Sequence, residues 1–149
     1  MKQFDELDMR LLHELTLDSS ESIPALATRM NIGTSVLYSR IKRLRKKGLI
    51  RRFTIVIDDK LLGIGVKASV GAKRDPKLKD SIHKSLMGIP EVTSISEVTG
   101  RFDIMIGIHA KSLEELHTIV ITKIGKIPGM QSTETLVELQ KTEKHPAYL

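Results

Sequence analysis

The chain of 149 residues contains neither cysteine nor tryptophan, and its aromatic content is 3%. The lack of cysteine excludes disulfide bonds, thiolate nucleophiles and zinc sites built on cysteine. No run of about 18 apolar residues occurs, and the N-terminus lacks the apolar stretch of a signal peptide. The sequence therefore predicts a cytoplasmic protein that does not contact a membrane.

Catalytic and metal-binding patterns are also missing. The histidines are scattered, and no pair has the spacing of metal ligands or of a nucleophile and its base. Asp103 could serve as a catalytic acid only beside a second carboxylate, and the sequence identifies none. We therefore expect no enzyme activity, no bound metal and no cofactor. The histidines are His13, His83, His109, His117 and His145.

Acidic residues are absent between Glu21 and Asp58, while nine lysines and arginines fall in that interval. The whole chain has a formal net charge of +6, which favours a polyanionic partner. A solvated helix face normally mixes both signs of charge. The interval of one sign therefore indicates contact with nucleic acid.

This basic interval contains the pattern of a capped amphipathic helix from Thr34 to Lys47. At about 100° per residue, its apolar positions form one stripe, and serines and cations gather on the opposite side. Gly33 or Thr34 can supply the N-cap, and Gly48 stands where a left-handed C-cap residue is wanted. The apolar side of the helix should pack against the protein core, and the cationic side should contact the polyanion. The stripe is Leu37, Ile41 and Leu44, and the opposite side is Ser35, Ser39, Lys42, Arg43 and Lys46.

Two helical patterns precede this helix. The first covers Glu6–Leu17, and the second follows Ser22 as N-cap with Pro24 in its first turn. A three-residue turn, 31–33, leads into the basic helix. This order predicts a helix-turn-helix, in which the last helix enters the major groove of DNA.

The N-terminal end of the basic helix is expected to read base edges, and its cations to bind phosphates. Tyr38 and Arg40 lie on the flanks of the helix, so packing of Tyr38 against the first helix and bracing by Arg40 are open alternatives. The candidate base contacts are Thr34, Ser35 and Tyr38. The further candidate DNA contacts are Ser39, Arg40, Lys42, Arg43 and Lys46.

The run 49–57 after this helix is rich in β-forming residues, with Phe53, Ile55 and Ile57 at alternate positions. We predict a strand that links the helix-turn-helix domain to the rest of the chain. Two aspartates and two glycines follow, which predicts a domain boundary near residue 60. The DNA-binding domain should thus cover residues 1–60.

The second half of the chain repeats a strand, helix and strand pattern. Val66 and Ile104 occupy corresponding strand positions, 38 residues apart, and an Ile-Pro pair follows each of them 23 positions later. Two successive βαβ units predict an α+β domain of ferredoxin-like βαββαβ type over residues 61–140. Both helices should cover one face of a four-stranded antiparallel sheet. Residues 141–149 are expected to form a polar tail.

The uncovered face of this sheet bears on the choice between DNA and RNA. RNA-recognition domains of this architecture stack bases on aromatic side chains of the sheet. The assigned positions hold no aromatic residue, so RNA binding is the weaker alternative. These positions are Lys67, Ser69, Gly71, Asp103, Met105 and Gly107.

Three segments complete a pattern over residues 4 to about 139. They are Phe4–Asp8 at the first helix, Arg40–Leu44 followed by Gly48–Ile50, and Thr99–Asp103 ahead of a strand. Together they resemble the leucine-responsive/asparagine regulator family, Lrp/AsnC, of bacteria and archaea. Each segment is a modest signal, but their order and separation make the combination specific.

The resemblance implies a sequence-specific regulator of transcription that binds double-stranded DNA. In the family, sheets pair to form homodimers, dimers assemble into octamers, and an amino acid or similar effector binds between dimers near a glycine-containing loop. Gly100 and Asp103 match that loop here, and Arg101 lies between them in the expected effector site. Further contacts are expected at Leu113, Thr133 and Thr135.

Arg101 stands where the family often has an acid, which leaves the charge preference of an effector open. A regulator without an effector is the main alternative. Its sheet would serve assembly alone, and Gly100 would simply form the turn of a hairpin.

Overall fold

The computed structural model describes residues 3–142 and residue 144, and it divides them into two compact units. The first unit runs to Val56 and includes Thr142 and Lys144, and the second is Ile57–Lys141. Most of the predicted tail, 143 and 145–149, lies outside the described residues. Among the helices of the described residues, none is long and apolar enough to cross a membrane.

Three helices form the first unit, and their predicted positions are confirmed: α1 (Glu6–Leu17), α2 (Ile23–Met30) and α3 (Thr34–Lys46). Side chains cap the first two. The Asp5 carboxylate accepts from the Asp8 amide, 2.8 Å away, and the Ser22 hydroxyl accepts from the Ala25 amide at 3.3 Å. These bonds satisfy amides that the first turn of a helix leaves unpaired.

Backbone geometry closes the turns around α3. Asn31 ends α2 in the left-handed conformation with φ of 56°, and Gly48 follows α3 with φ of 75°. Asparagine and glycine tolerate this region better than other residues. The apolar stripe of α3 then packs into the core of the first unit. That core consists of Leu11, Leu26, Ala27, Met30, Leu37, Ile41 and Leu44.

The segment Leu49–Ile57 is not a strand, so the predicted linking strand is wrong for the single chain. None of the described residues pairs with it in a ladder, and Val56 is 97% exposed. Ile55 and Ile57 are exposed as well. Alternating apolar residues form a strand only where a neighbour supplies the hydrogen bonds, and the strands of the second unit pair with one another instead.

The second unit confirms the ferredoxin-like prediction. Its sheet is antiparallel with strand order β2-β3-β1-β4. A short 3-10 turn precedes α4, and a π-helical segment, Ile119–Ile124, extends α5. The elements are β1 (Val66–Arg74), α4 (Lys79–Met87), β2 (Val92–Glu97), β3 (Ile104–Ala110), α5 (Leu113–Thr118) and β4 (Met130–Val137).

Both helices pack on the same face of the sheet, as predicted. Alternate residues of β1 and β3 point to this face and are buried against α4, α5 and the π-helical segment. The buried strand residues are Ala68, Val70, Ala72, Ile104, Ile106, Ile108 and Ala110. The helical partners are Ile82, Leu86, Leu116, Ile119, Val120 and Ile124.

The spacing of Ser112 and Glu115 predicts a capping box at the start of α5, and the structure forms only part of it. The Ser112 hydroxyl accepts from the Glu115 amide at 3.1 Å, as expected. The Glu115 carboxylate, however, accepts from the amide of Lys111 at 2.5 Å, one residue before the N-cap. The box is therefore half formed, and its second bond ties the helix to the end of β3.

Candidate functional site

The outward side of α3 is exposed along its length. Thr34 and Ser35 lie in its first turn, where Gly33 contributes no side-chain cap, and Lys42 and Lys46 lie farther along. Uncapped amides and the helix dipole make this end attractive to anions. The Ser39 hydroxyl donates to the Val36 carbonyl at 3.0 Å, so its oxygen stays free to accept.

Tyr38 borders a groove of the first unit with a volume of about 680 Å³. Tyr38 is 58% exposed, although Leu15 and Ile23 line the same groove. The phenol is thus placed beside α1 and α2 without being buried between them. Tyr38 is therefore not buried against the first helix, and its contact with a base stays a prediction.

Arg40 braces α3 against the start of α1. Its guanidinium donates to both carboxylate oxygens of Asp5 at 2.7 Å and to Asp8 at 2.8 Å. The hydrogen bond from Arg40 is the main cause that lowers the pKa of Asp5. The bracing alternative weighed for Arg40 is the one that the structure supports.

Arg43 is also engaged by α1, through an ion pair with Asp8. The sequence placed Arg43 with Lys42 and Lys46 as a source of DNA affinity, because helical spacing puts it near the polar side. Spacing along one helix does not reveal a carboxylate on another helix. Arg40 and Arg43 therefore stand apart from the remaining cations of α3.

Two cations that were not among the candidate DNA contacts lie beside the exposed side of α3. Arg45 and Arg51 line the same groove as Tyr38, Lys42 and Lys46, and among the described residues Glu21 is the single acid that lines it. Within the residues that the structure describes, the four cations of this groove have no ion-pair partner. The interval without acids already contained both arginines, so their signal was present in the sequence. The four are Lys42, Arg45, Lys46 and Arg51.

In the second unit, the loop between β2 and β3 brings Gly100, Arg101 and Asp103 together. Gly100 adopts φ of 110°, which other residues rarely do. Asp103 ties the loop to β1, because its carboxylate accepts from the Arg74 amide at 3.0 Å and its amide donates to the Ala72 carbonyl at 2.9 Å. Asp103 thus has a clear structural role.

Phe102 occupies the uncovered face of the sheet, contrary to the prediction that this face holds no aromatic residue. Its ring lies against Gly71, and the Arg101 guanidinium stands 4.7 Å from the ring centroid. Arg101 also pairs with Glu134 of β4. Phe102 would share the buried face of Ile104 if the strand reached it, but β3 begins only at Ile104, so the strand period does not govern Phe102.

The remaining effector candidates lie elsewhere in the single chain. Leu113 is exposed and follows β3, whereas Asp103 precedes it, and seven strand residues span about 23 Å. Thr133 and Thr135 pair with Ala72 and Val70, whose side chains point to the helix-covered face. The structure therefore groups Gly100, Arg101 and Asp103 with the missed residues Phe102 and Glu134, and separates the other three.

No group of three histidine, aspartate or glutamate side chains that could hold a metal ion occurs among residues 3–142 and 144. The charged groups of both units instead form ion pairs or line open surface. Nucleic-acid contact at α3 and ligand contact at the loop are the two chemical possibilities that this geometry offers.

Comparison with known proteins identifies the family of each unit. Residues 4–51 match a family described as winged helix-turn-helix DNA-binding. Residues 67–148 match the Lrp/AsnC ligand binding domain. The two matches cover the helices of the first unit and the sheet of the second.

Individual relatives agree with these matches. The HTH-type transcriptional regulator FL11 of Pyrococcus horikoshii is 30% identical over 145 residues, covering 97% of this chain and 95% of the relative. AsnC of E. coli superposes with a TM-score of 0.88 at 27% identity, covering 98% and 99%. A transcriptional regulator of Neisseria meningitidis, solved with L-methionine, has the same fold, with a TM-score of 0.91 at 19% identity and coverage of 99% and 96%.

Proposed function

The chain belongs to the Lrp/AsnC family of DNA-binding transcriptional regulators, and on this premise we propose that α3 reads specific double-stranded sequences and that a small effector modulates binding. The observation that carries the DNA proposal is the exposed side of α3, where cations lie beside short polar side chains. Such a side can neutralise phosphates and present hydrogen-bonding groups to base edges. The protein would act in the cytoplasm.

Within α3 we assign specificity to the first turns and affinity to the cations behind them. Thr34, Ser35 and Tyr38 are short or exposed enough to reach base edges. Lys42 and Lys46 attract phosphates, and Arg45 and Arg51 extend the cationic surface along the groove. Ser39 offers an acceptor between the two sets.

We also propose that the chain forms homodimers that associate further, up to octamers. The segment Leu49–Ile57 supports this idea, because an exposed apolar alternation with unpaired backbone is suited to pairing with a second copy. A symmetric dimer would present two α3 helices to two half-sites. Sedimentation of the purified chain measures the assembly, and replacing Ile55 by Lys should shift it toward the monomer.

The effector proposal concerns the loop at Gly100 and rests on the match to a ligand binding domain. Arg101 and Glu134 offer one charge of each sign, which suits an amino acid with its carboxylate and ammonium groups. Leu113 follows the far end of β3, and Thr133 and Thr135 lie on the face of the sheet opposite Phe102, so these three would join the loop only from a second copy. A regulator whose sheet serves assembly alone is the second candidate, and the exposed turn at Gly100 is compatible with it.

A salt titration tests DNA binding. Log affinity should fall linearly with log salt, at a slope of about −0.9 for each phosphate neutralised. The double variant Lys42→Ala with Lys46→Ala should flatten the slope by about 1.8 on every sequence, whereas Ser35→Ala should change sequence preference at an unchanged slope. Lys84→Ala, an exposed cation of α4, is the matched control. A salt-independent affinity would contradict phosphate binding by α3.

A thermal-shift screen of amino acids tests the effector proposal, because a ligand of the native state raises the melting temperature. Asp103→Asn is a better probe than Asp103→Ala, since asparagine keeps an oxygen that can accept from the Arg74 amide. Arg101→Gln should weaken a bound amino acid through loss of charge. If no amino acid shifts the melting temperature, the assembly candidate is favoured.

A further inference from the structure

Asp8 is a charged side chain that is completely buried, and no other charged residue in the described part of the chain is buried to this degree. Its carboxylate accepts from the Asp5 amide at 3.2 Å and from Arg40 at 2.8 Å, and it pairs with Arg43. A buried carboxylate is costly unless it keeps its partners. Asp8 therefore holds both guanidinium groups firmly.

The two arginines come from one flank of the helix that meets DNA. Arg40 and Arg43 are three residues apart on α3, so both reach the first turn of α1 from the same side. Arg40 is the more enclosed of the two, with 21% of its side chain exposed against 44% for Arg43.

Arg43 also borders the polar side of α3. It is four residues from Ser39, which places it about 40° away around the helix. A guanidinium at this position could turn from Asp8 to a nearby phosphate. The ion pair with Asp8 thus competes with the DNA backbone for one cation.

We propose that Asp8 is a positioning residue that withholds Arg43 from DNA, and that it thereby sets how many phosphates α3 neutralises. The inference rests on the proposed binding of DNA by α3. While Asp8 holds it, Arg43 supports the orientation of α3, and Lys42 and Lys46 carry the attraction to phosphate. The ion pair of Asp8 with Arg43 thereby limits the affinity for DNA of any sequence. Discrimination between DNA sequences then depends more on Ser35 and its neighbours.

Asp8→Asn tests the proposal. Asparagine keeps the shape of the side chain but carries no charge, and an NH2 group that only donates replaces one accepting oxygen, so each guanidinium no longer has an oxygen of its own. On DNA of arbitrary sequence, we expect the salt slope to steepen by about 0.9, which corresponds to one additional phosphate. The matched control is Glu6→Gln, which removes one exposed acid from the same turn of α1 without freeing a cation of α3.

The variant Arg43→Gln distinguishes withholding of Arg43 by Asp8 from a purely structural role of their ion pair. In the unaltered chain this change should leave the salt slope as it was, because Arg43 is held by Asp8. In the Asp8→Asn background it should cancel the steepening. An unchanged slope in folded Asp8→Asn, or a flatter slope in Arg43→Gln alone, would overturn the proposal.

The Arg43→Gln measurement remains decisive if Asp8→Asn does not fold, as judged by circular dichroism. An unchanged slope in that variant supports withholding of Arg43, and a slope flatter by about 0.9 shows direct phosphate contact instead. Failure of the proposed function is distinguishable, because the unaltered chain would then show no salt-dependent binding of DNA.

Discussion

The ring of Phe102 lies directly over Gly71, on the face of the sheet opposite α4 and α5. A methyl group at the Cβ position of residue 71 would stand 2.5 Å from two ring carbons, closer than van der Waals contact permits. Arg101 stacks on the ring and pairs with Glu134, which lies opposite Gly71 in the ladder between β1 and β4. Because Gly71 has no side chain, the ring of Phe102 fits against β1 and fixes the loop after β2 on the sheet.

Gly71→Ala should destabilise the second unit by about 1 to 3 kcal/mol, because the added methyl overpacks the contact with Phe102. Urea unfolding measures the loss. Gly65→Ala is the matched control in the same unit, since its added methyl would lie 3.5 Å from the Lys111 carbonyl, an ordinary contact.

A double-mutant cycle identifies the cause of this loss. In a Phe102→Ala background, Gly71→Ala should cost much less, because the ring that it displaces is gone. Equal costs in both backgrounds would mean that the added methyl acts through the backbone of β1, and not through Phe102.

Gly33→Ser should stabilise the first unit by a few tenths of a kcal/mol, the usual difference between serine and glycine as N-cap. Gly33 has extended geometry, and an added Cβ would lie 3.8 Å from Val36, so a serine side chain fits and can accept from an amide of the first turn. Chemical denaturation measures the gain.

Gly48→Ala, at the other end of α3, is the contrasting variant. Its added methyl would meet nothing within 4 Å, but φ of 75° should still cost about 1 kcal/mol. The two variants should change the free energy of unfolding in opposite directions, because Gly33→Ser adds a cap and Gly48→Ala strains the backbone. Destabilisation by Gly33→Ser would show that the first turn of α3 cannot use a side-chain cap.

Local patterns predicted the helices of the first unit well. Asp5 and Ser22 cap the starts of α1 and α2, and Gly48 ends α3. Each of these interactions involves residues within a few positions of the helix end. The apolar stripe of α3 is buried as its spacing required. The repeat beginning at Val66 and Ile104 predicted the sheet for the same reason, since strand and helix periods are local properties.

Contacts between distant residues were beyond these patterns. The partner of Arg43 lies 35 positions earlier in the chain, and that of Arg101 lies 33 positions later. Helical spacing placed Arg43 on the polar side correctly but could not show that Asp8 occupies its guanidinium. The strand predicted over residues 49–57 was wrong for a related reason. A strand needs a neighbouring strand for its hydrogen bonds, and the sequence of the segment does not identify one.

Glu91 offers a titratable contact in the second unit, remote from both proposed sites. Its Oε1 atom accepts from the Lys123 ammonium group at 2.6 Å, and this hydrogen bond lowers the pKa of Glu91 below its ordinary value of 4.5, outweighing burial. A carboxyl group with a lowered pKa stabilises the folded state above the unfolded pKa. That stabilisation is lost as the pH falls through the lowered value.

Glu91→Gln should therefore reduce the free energy of unfolding by at most about 1 kcal/mol near pH 7, because a partly exposed ion pair contributes little more. The difference from the unaltered chain should stay constant down to about pH 5 and close in more acidic solution, where the carboxyl group becomes protonated. Urea unfolding at a series of pH values measures it. Glu114→Gln, at an exposed acid of α5, is the control and should show no such closing difference. A difference that persists unchanged at the lowest pH would mean that the introduced glutamine disturbs packing beside Lys123, and that the charge of Glu91 does not stabilise the fold.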